Sequence, residues 1–313
     1  MMRSDFLILL LALAALAGCA PSAQQQPNQS STPVVEKPQP PQDAPVPSAE
    51  KLKDTPPSSA KRTAKPSLDE RMLFYPSKYP EGDWKPKGLT FEDVWFNAED
   101  GTHLHGWYCP CDRPRAVVLF AHGNAGNLSH RAPLMQYLQK DLRVSALIFD
   151  YRGYGRSEGV PTVEGILKDG RAARSLLARR AGITQSQVVL MGRSLGGAVV
   201  VQLAAESPPR GLILESTFSS FKDVAAHHYP LLAWLVSAKK LNSAAKIATY
   251  KGPLLQSHGD ADRTIPYASG RKLFEAANEP KRFVTIPGGD HNDRQSAEYY
   301  TQLNRFLDTL PDG

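Results

Sequence analysis

The residues of this chain best placed to do chemistry are Gly192-Arg193-Ser194-Leu195-Gly196-Gly197. They follow a short apolar run, Val188 to Met191, and lead into Ala198 to Ala205, whose apolar spacing is helical. A serine carried on a strand-to-helix turn is lifted clear of the sheet at a helix N-terminus, where an attacking oxygen is needed. The turn is tight enough that side chains beside the serine would collide, which accounts for the glycines on either side. Serine is a poor nucleophile at neutral pH, so a base must take its proton during attack, and an imidazole with a free pKa of about 6.5 suits that task. The tetrahedral intermediate then needs backbone N–H donors aimed at its oxyanion.

Those groups have to be positioned by the elements around them. Phe91 to Phe96 and His103 to Tyr108 flank a turn-rich loop and read as an antiparallel hairpin. Ala116 to Ala121, Val144 to Phe149, Val188 to Met191, Leu212 to Leu214, Leu254 to Ser257 and Phe283 to Ile286 are continuous apolar runs, as expected of strands covered on both faces. Pro133 to Gln139, Val163 to Arg180, Leu195 to Ala205, Tyr267 to Asn278 and Ser296 to Thr309 show apolar spacing at i, i+3 and i+4. Strand and helix therefore alternate after an opening hairpin. The expected fold class is α/β, a mostly parallel, doubly wound sheet of about eight strands.

With the glycine-flanked serine between strand and helix, the region from about Phe91 to the C-terminus resembles the α/β-hydrolase superfamily. That resemblance implies the chain order serine, acid, histidine, each after its own strand, which falls on Ser194, Asp262 and His291. Asp262 lies in His258-Gly259-Asp260-Ala261-Asp262-Arg263-Thr264-Ile265-Pro266, similar to the family's H-G-x-x-D-x-x-(V/I)-P loop. Asp260 is its rival, and its position two residues nearer the strand suits a turn residue. His291 follows Pro287-Gly288-Gly289-Asp290 before the last helix. His103, His105, His130, His227 and His228 do not follow the final strand and read as surface or packing residues. The oxyanion donors implied are the backbone amides of Leu195 and of Asn124, the latter in His122-Gly123-Asn124-Ala125-Gly126-Asn127. The loop Phe149 to Ser157 resembles a family loop of structural use. The stretch between Leu214 and Leu254 is where the superfamily places its cap, here an insertion of about residues 216–252 with an apolar segment, Tyr229 to Val236.

The N-terminal fifth has another character. Phe6 to Ala17 is a 12-residue run of Leu, Ala and Ile, too short to span a bilayer and suited to a signal-peptide core. It ends in Leu16-Ala17-Gly18-Cys19, which resembles the bacterial lipobox, so residues 1–18 are expected to be a cleaved signal and Cys19 the lipidated residue. Residues 19–66 hold 11 of the 26 prolines and almost no large apolar side chains, so they cannot bury a core and are expected to form a tether. This leaves 67–313 for the hydrolase-like domain. Localisation to the cell envelope follows from the anchor; Ala20 after the cysteine, in place of aspartate, favours the outer membrane in a Gram-negative cell. A net charge of +6 arises without a dense Lys/Arg run or zinc-finger spacing, which gives nucleic-acid binding no support. Three cysteines exclude a disulfide-rich scaffold, and Cys109 and Cys111 read as free thiols or a strained pair.

The leading expectation is a tethered serine hydrolase acting on carboxylic esters or thioesters of a small-molecule or acylated substrate, with no metal and no organic cofactor. A serine peptidase on the same fold and a non-catalytic binding lipoprotein remain open beside it.

Overall fold

The computed structural model describes residues 66–311 apart from 232, 234, 235, 238 and 239. The chain divides into two units, Met1–Asp54 and Thr55–Gly313, and all described residues lie in the second. The expected signal, Cys19 and the expected tether up to residue 65 therefore lie outside the described residues.

Ten strands and eight α-helices are described. In chain order they are α1 (Leu68–Arg71), β1 (Tyr75–Pro76), β2 (Glu92–Asn97), β3 (His103–Cys109), β4 (Ala116–Ala121), β5 (Ala125–Gly126), α2 (Ala132–Lys140), β6 (Val144–Phe149), α3 (Val163–Ala181), β7 (Val189–Arg193), α4 (Leu195–Glu206), β8 (Gly211–Glu215), α5 (Phe221–His228), α6 (Ser243–Ile247), β9 (Leu254–Gly259), α7 (Tyr267–Ala276), β10 (Lys281–Ile286) and α8 (Ala297–Asp308). Eight strands form one sheet in the order β10-β9-β8-β7-β4-β6-β3-β2. Its pairings are parallel except where β3 meets β6 and β2 meets β3. The opening hairpin is thus the antiparallel edge of an otherwise parallel sheet, as the sequence indicates.

Alternation along the central strands divides the core into two layers. Val117, Leu119 and Ala121 of β4 face the side packed by Ile166, Ala173 and Leu177 of α3 and Val199 of α4. Ala116, Val118 and Phe120 face the other side, with Met135 and Leu138 of α2 and Tyr299, Leu303 and Phe306 of α8. Period-two alternation and burial on both faces explain why these strands are continuous apolar runs. Each fully buried Leu or Phe contributes on the order of 2 kcal/mol, so the sheet is a stiff platform for the loops at its C-terminal edge.

Strand ends differ from the expectation by a residue or two. β7 continues to Arg193 because its ladder with β8 runs on to the pair Arg193↔Glu215, past the last apolar residue. Residues 68–87 form an arm that contains α1 and the two-residue strand β1, which pairs in parallel with β5. Leu73 and Phe74 of this arm are buried in the core. Cys109 is buried and Cys111 part-exposed, both as free thiols.

Candidate active site

Ser194 sits between the end of β7 and the start of α4 with φ 53° and ψ −120°, a conformation that few non-glycine residues adopt. The surroundings impose it. Its amide donates to the Glu215 carbonyl at 2.9 Å, and its own carbonyl accepts from Thr217 Oγ1 at 2.7 Å. A Cβ on Gly196 would fall 1.9 Å from the Ala121 carbonyl oxygen, and one on Gly192 would fall 2.3 Å from that of Gly196. Only glycine lets α4 start this close to β4. Strain of this kind persists where the neighbours over-determine it.

His291 Nε2 lies 3.2 Å from Ser194 Oγ, and His291 Nδ1 lies 2.8 Å from Asp262 Oδ2. All three residues are buried. Asp262 Oδ1 accepts from the amides of Thr264 at 2.9 Å and Ile265 at 2.7 Å. Burial alone would raise its pKa, but the ring N–H groups of His258 and His291 and the Ile265 amide outweigh that and hold it well below the usual carboxylate range. Asp262 therefore remains an anion beside His291. Asp260 is exposed and accepts from the Gly288 amide at 2.6 Å, the turn role expected of it. The residues brought together are thus Ser194, Asp262 and His291, with Asp260 outside the group.

The loop bearing His291 is held from two sides. Arg193 Nη2 donates to the His291 carbonyl at 2.6 Å, and Asp290 Oδ1 accepts from the His291 amide at 2.7 Å. Glu215, opposite Arg193 in the sheet, is fully buried; burial pushes its pKa up, and its carboxylate accepts from Tyr299 Oη at 2.5 Å.

The loop carrying Asn124 runs past the serine, since a Cβ on Gly123 would lie 3.5 Å from Ser194 Cβ. The Asn124 side chain donates to the Leu73 carbonyl at 2.9 Å, and its carbonyl accepts from the Tyr75 amide at 3.0 Å and Tyr154 Oη at 2.7 Å. Its amide N–H has no acceptor among the described residues. Leu195, as the first residue of α4, likewise has an amide without an intrahelical partner. Two such donors beside a serine are what an oxyanion needs. The loop from Phe149 to Ser157 serves as scaffold. Tyr151 Oη donates to the His122 carbonyl at 2.9 Å, Asp150 accepts from the Leu128 amide at 2.8 Å, and buried Arg152 forks onto Asp169.

The remaining histidines are occupied elsewhere. His103 stacks on Trp95, His105 is buried against Asp93, His130 accepts from the Asn127 amide, and His228 donates to the Thr264 carbonyl. The insertion is built of α5 and α6, with Phe221, Ala225, Ala233 and Val236 in the core and Leu231 86% exposed. It reaches the acid loop through His228 and the N-terminal arm through Lys240 Nζ, 2.9 Å from Ser67 Oγ. Leu232, Trp234 and Leu235 of its apolar segment are outside the described residues. Three supports of the site are not foreseen from the sequence: the β1–β5 pairing under Asn124, the Arg193 hold on His291, and His258 beside Asp262. For the last, its place in the acid-loop motif was the available signal.

Among the described residues no cluster of three or more His, Cys, Asp or Glu side chains is able to hold a metal, and no helix is long and apolar enough to cross a membrane. A cavity of about 630 Å³ lined by Trp95, Lys168, Arg171 and Glu206 contains none of Ser194, Asp262 or His291. Arg171 is paired there with Glu206, and Lys168 lies near Glu164 and Asp100.

The family model described as serine aminopeptidase, S33, matches residues 112–246, a span that includes Ser194 and stops short of Asp262 and His291. The uncharacterized protein YfhR of Escherichia coli (strain K12) is 34% identical over 254 residues, 77% of this chain and 88% of YfhR. The alpha/beta hydrolase domain-containing protein WAV2 of Arabidopsis thaliana is 36% identical over 246 residues, 70% of this chain and 79% of WAV2. Among solved structures, the Pyrococcus furiosus esterase PF2001 has a TM-score of 0.63 at 21% identity, covering 76% of this chain and 98% of that one, a likeness of fold. With the glycine-flanked serine at the head of α4 and relatives matched over most of their length, this chain belongs to the α/β-hydrolase superfamily.

Proposed function

We propose that this protein is a serine hydrolase that cleaves carboxylic esters or thioesters through an acyl-enzyme on Ser194. The observation that carries the reading is the linked pair of contacts, Ser194 Oγ to His291 Nε2 at 3.2 Å and His291 Nδ1 to Asp262 Oδ2 at 2.8 Å. In the first step Ser194 Oγ attacks the acyl carbon while its proton passes to His291 Nε2, and the carbonyl oxygen, now an anion, takes the amides of Leu195 and Asn124. Asp262 stabilises the imidazolium without taking its proton. Collapse expels the alcohol or thiol, which receives the proton from His291. Water then attacks the acyl-enzyme with the same base and releases the acid. None of these steps needs a metal or organic cofactor.

The reading extends to a membrane anchor at Cys19, with the domain held off the membrane by residues 19–66 and, in a Gram-negative cell, the outer membrane favoured. Sequence alone supports that part. Incorporation of an alkyne fatty acid into the wild type and not into Cys19→Ser is the expected result; equal labelling of both contradicts it.

A second reading is favoured by the aminopeptidase description of the matching family model. Turnover of the full-length protein in detergent on p-nitrophenyl acyl esters, acyl thioesters and aminoacyl amides, each against Ser194→Ala, separates the two. Ester or thioester turnover that vanishes in Ser194→Ala is expected. A preference for amides with a free amino terminus would replace the esterase reading with the peptidase one.

A further inference from the structure

β9 ends in a second histidine beside the carboxylate that His291 uses. His258 is fully buried, and its Nε2 lies 2.8 Å from the Ile265 carbonyl oxygen and 3.3 Å from Asp262 Oδ2. Both neighbours are acceptors, so the ring proton is assigned to Nε2. Nδ1 has no hydrogen-bond partner among the described residues and faces Gly270 of α7, where a Cβ would come within 2.3 Å of it. Close backbone approach therefore fixes one edge of the ring, and two oxygens fix the other.

We infer that His258 is a positioning residue of the triad, one that fastens the acid loop and moderates the pull of Asp262 on His291. The inference rests on the serine-hydrolase reading given above. Asp262 Oδ1 is occupied by two amides, so His291 is served by Oδ2, the oxygen that His258 also approaches. The His258 N–H makes its hydrogen bond to Ile265, and its contact with Oδ2 is a charge–dipole one. The positive end of that dipole draws on the carboxylate's charge, so Asp262 stabilises the His291 imidazolium less than an unshared carboxylate would. Other ionisable groups meet this loop at different points. Arg193 holds the His291 carbonyl, Asp290 pairs with Arg263 at the rim, His228 holds the Thr264 carbonyl, and the Tyr267 ring lies 6.1 Å from the His258 ring. None of them is hydrogen-bonded to Oδ2.

Replacing His258 by a side chain without a donor should return charge to Oδ2 and strengthen the hold on the His291 imidazolium. The serine base then stays protonated to a higher pH. The acid limb of the pH–rate profile therefore moves upward.

The test is the pH dependence of fluorophosphonate labelling of Ser194, from about pH 5 to pH 9, in full-length wild type, His258→Gln and His258→Phe in detergent. Gln carries an N–H at nearly the same reach as Nε2; Phe keeps the ring's shape without it. Wild type and His258→Gln should share an acid limb. In His258→Phe that limb should lie about half a unit higher, with a plateau rate lower by about tenfold, as expected for a lost contact to a charged group. If His258→Phe does not melt cooperatively, His258→Met takes its place in the same comparison. Coincident limbs in wild type and the donor-free variant, or a limb moved as far in His258→Gln, would overturn the inference. A wild type that fails to label at any pH would instead overturn the serine-hydrolase reading beneath it.

Discussion

The acid loop after β9 and the insertion after β8 lie side by side and are held in different ways. From His258 to Ile265 the loop is set by short contacts among buried groups: two amides on Asp262 Oδ1, an imidazole on Oδ2, and a second imidazole wedged against Gly270. Among the described residues the insertion holds two short helices, α5 and α6, with Leu231 86% exposed; Ser219 meets buried Ser269 near its start, while the ties of Asp223 to Lys272, His228 to Thr264 and Lys240 to Ser67 lie at the surface. A group that must be held within a fraction of an ångström for proton transfer is over-determined by its surroundings. On the proposed function, the difference assigns reaction type to the loops at strand ends and substrate choice to the insertion.

Substitutions can break this contrast or sharpen it. The largest effect is expected from Ser194→Ala, which should lower kcat by roughly 10⁴-fold or more, with His291→Ala comparable and the double variant little worse than either, because the residues act as a unit. Additive losses in the double variant would dismantle the triad. Next comes Asp262→Asn, for which about 10³-fold or more in kcat is expected, against little change for Asp260→Asn. Because the Asp262 pKa is depressed on folding, its carboxylate stabilises the fold above the ordinary carboxylate range, and that stability is lost as pH falls through the folded value. Asp262→Asn should therefore narrow the difference in Tm between neutral and strongly acid solution; an unchanged difference would show that the ionised carboxylate adds nothing.

Gly196→Ala probes the over-determined side through packing. Its Cβ would sit 1.9 Å from a backbone oxygen that belongs to β4, so a cost of about 3 kcal/mol or more is expected. For a domain of this size that corresponds to a Tm lower by roughly 6 to 12 °C. A normal melt with normal activity would mean that the close start of α4 is not required. The smallest effect is expected in the insertion: Leu231→Asp should leave Tm and acetyl-ester turnover nearly unchanged and lower turnover of longer acyl esters by about threefold, on the order of 0.6 kcal/mol. Equal losses on short and long esters would show that the insertion supports the chemistry itself.

The sheet and the serine turn were legible because their signals are local. Continuous apolar runs mark doubly covered strands, and glycine at 192 and 196 marks a turn where backbone meets backbone. Asp262 is preferred over Asp260 by its motif position; the structure puts Asp262 on His291 Nδ1 and Asp260 on the Gly288 amide. What escaped depends on residues far apart in the chain. The pairing of Tyr75–Pro76 with Ala125–Gly126 is two residues long and has no periodicity to read. Arg193 on the His291 carbonyl joins positions 98 apart, and an arginine in a strand end carries no sign of its acceptor. His258 was visible as a motif residue, but its role depends on which ring edge faces Gly270, a matter of packing alone.

The account turns on Ser194 as the nucleophile. Its most direct test is to label the full-length wild type with a fluorophosphonate at neutral pH, digest it, and locate the adduct by tandem mass spectrometry. The account predicts one adduct, on Ser194, formed slowly or not at all in His291→Ala. An adduct on another residue, or a folded wild type that stays unlabelled, would contradict it.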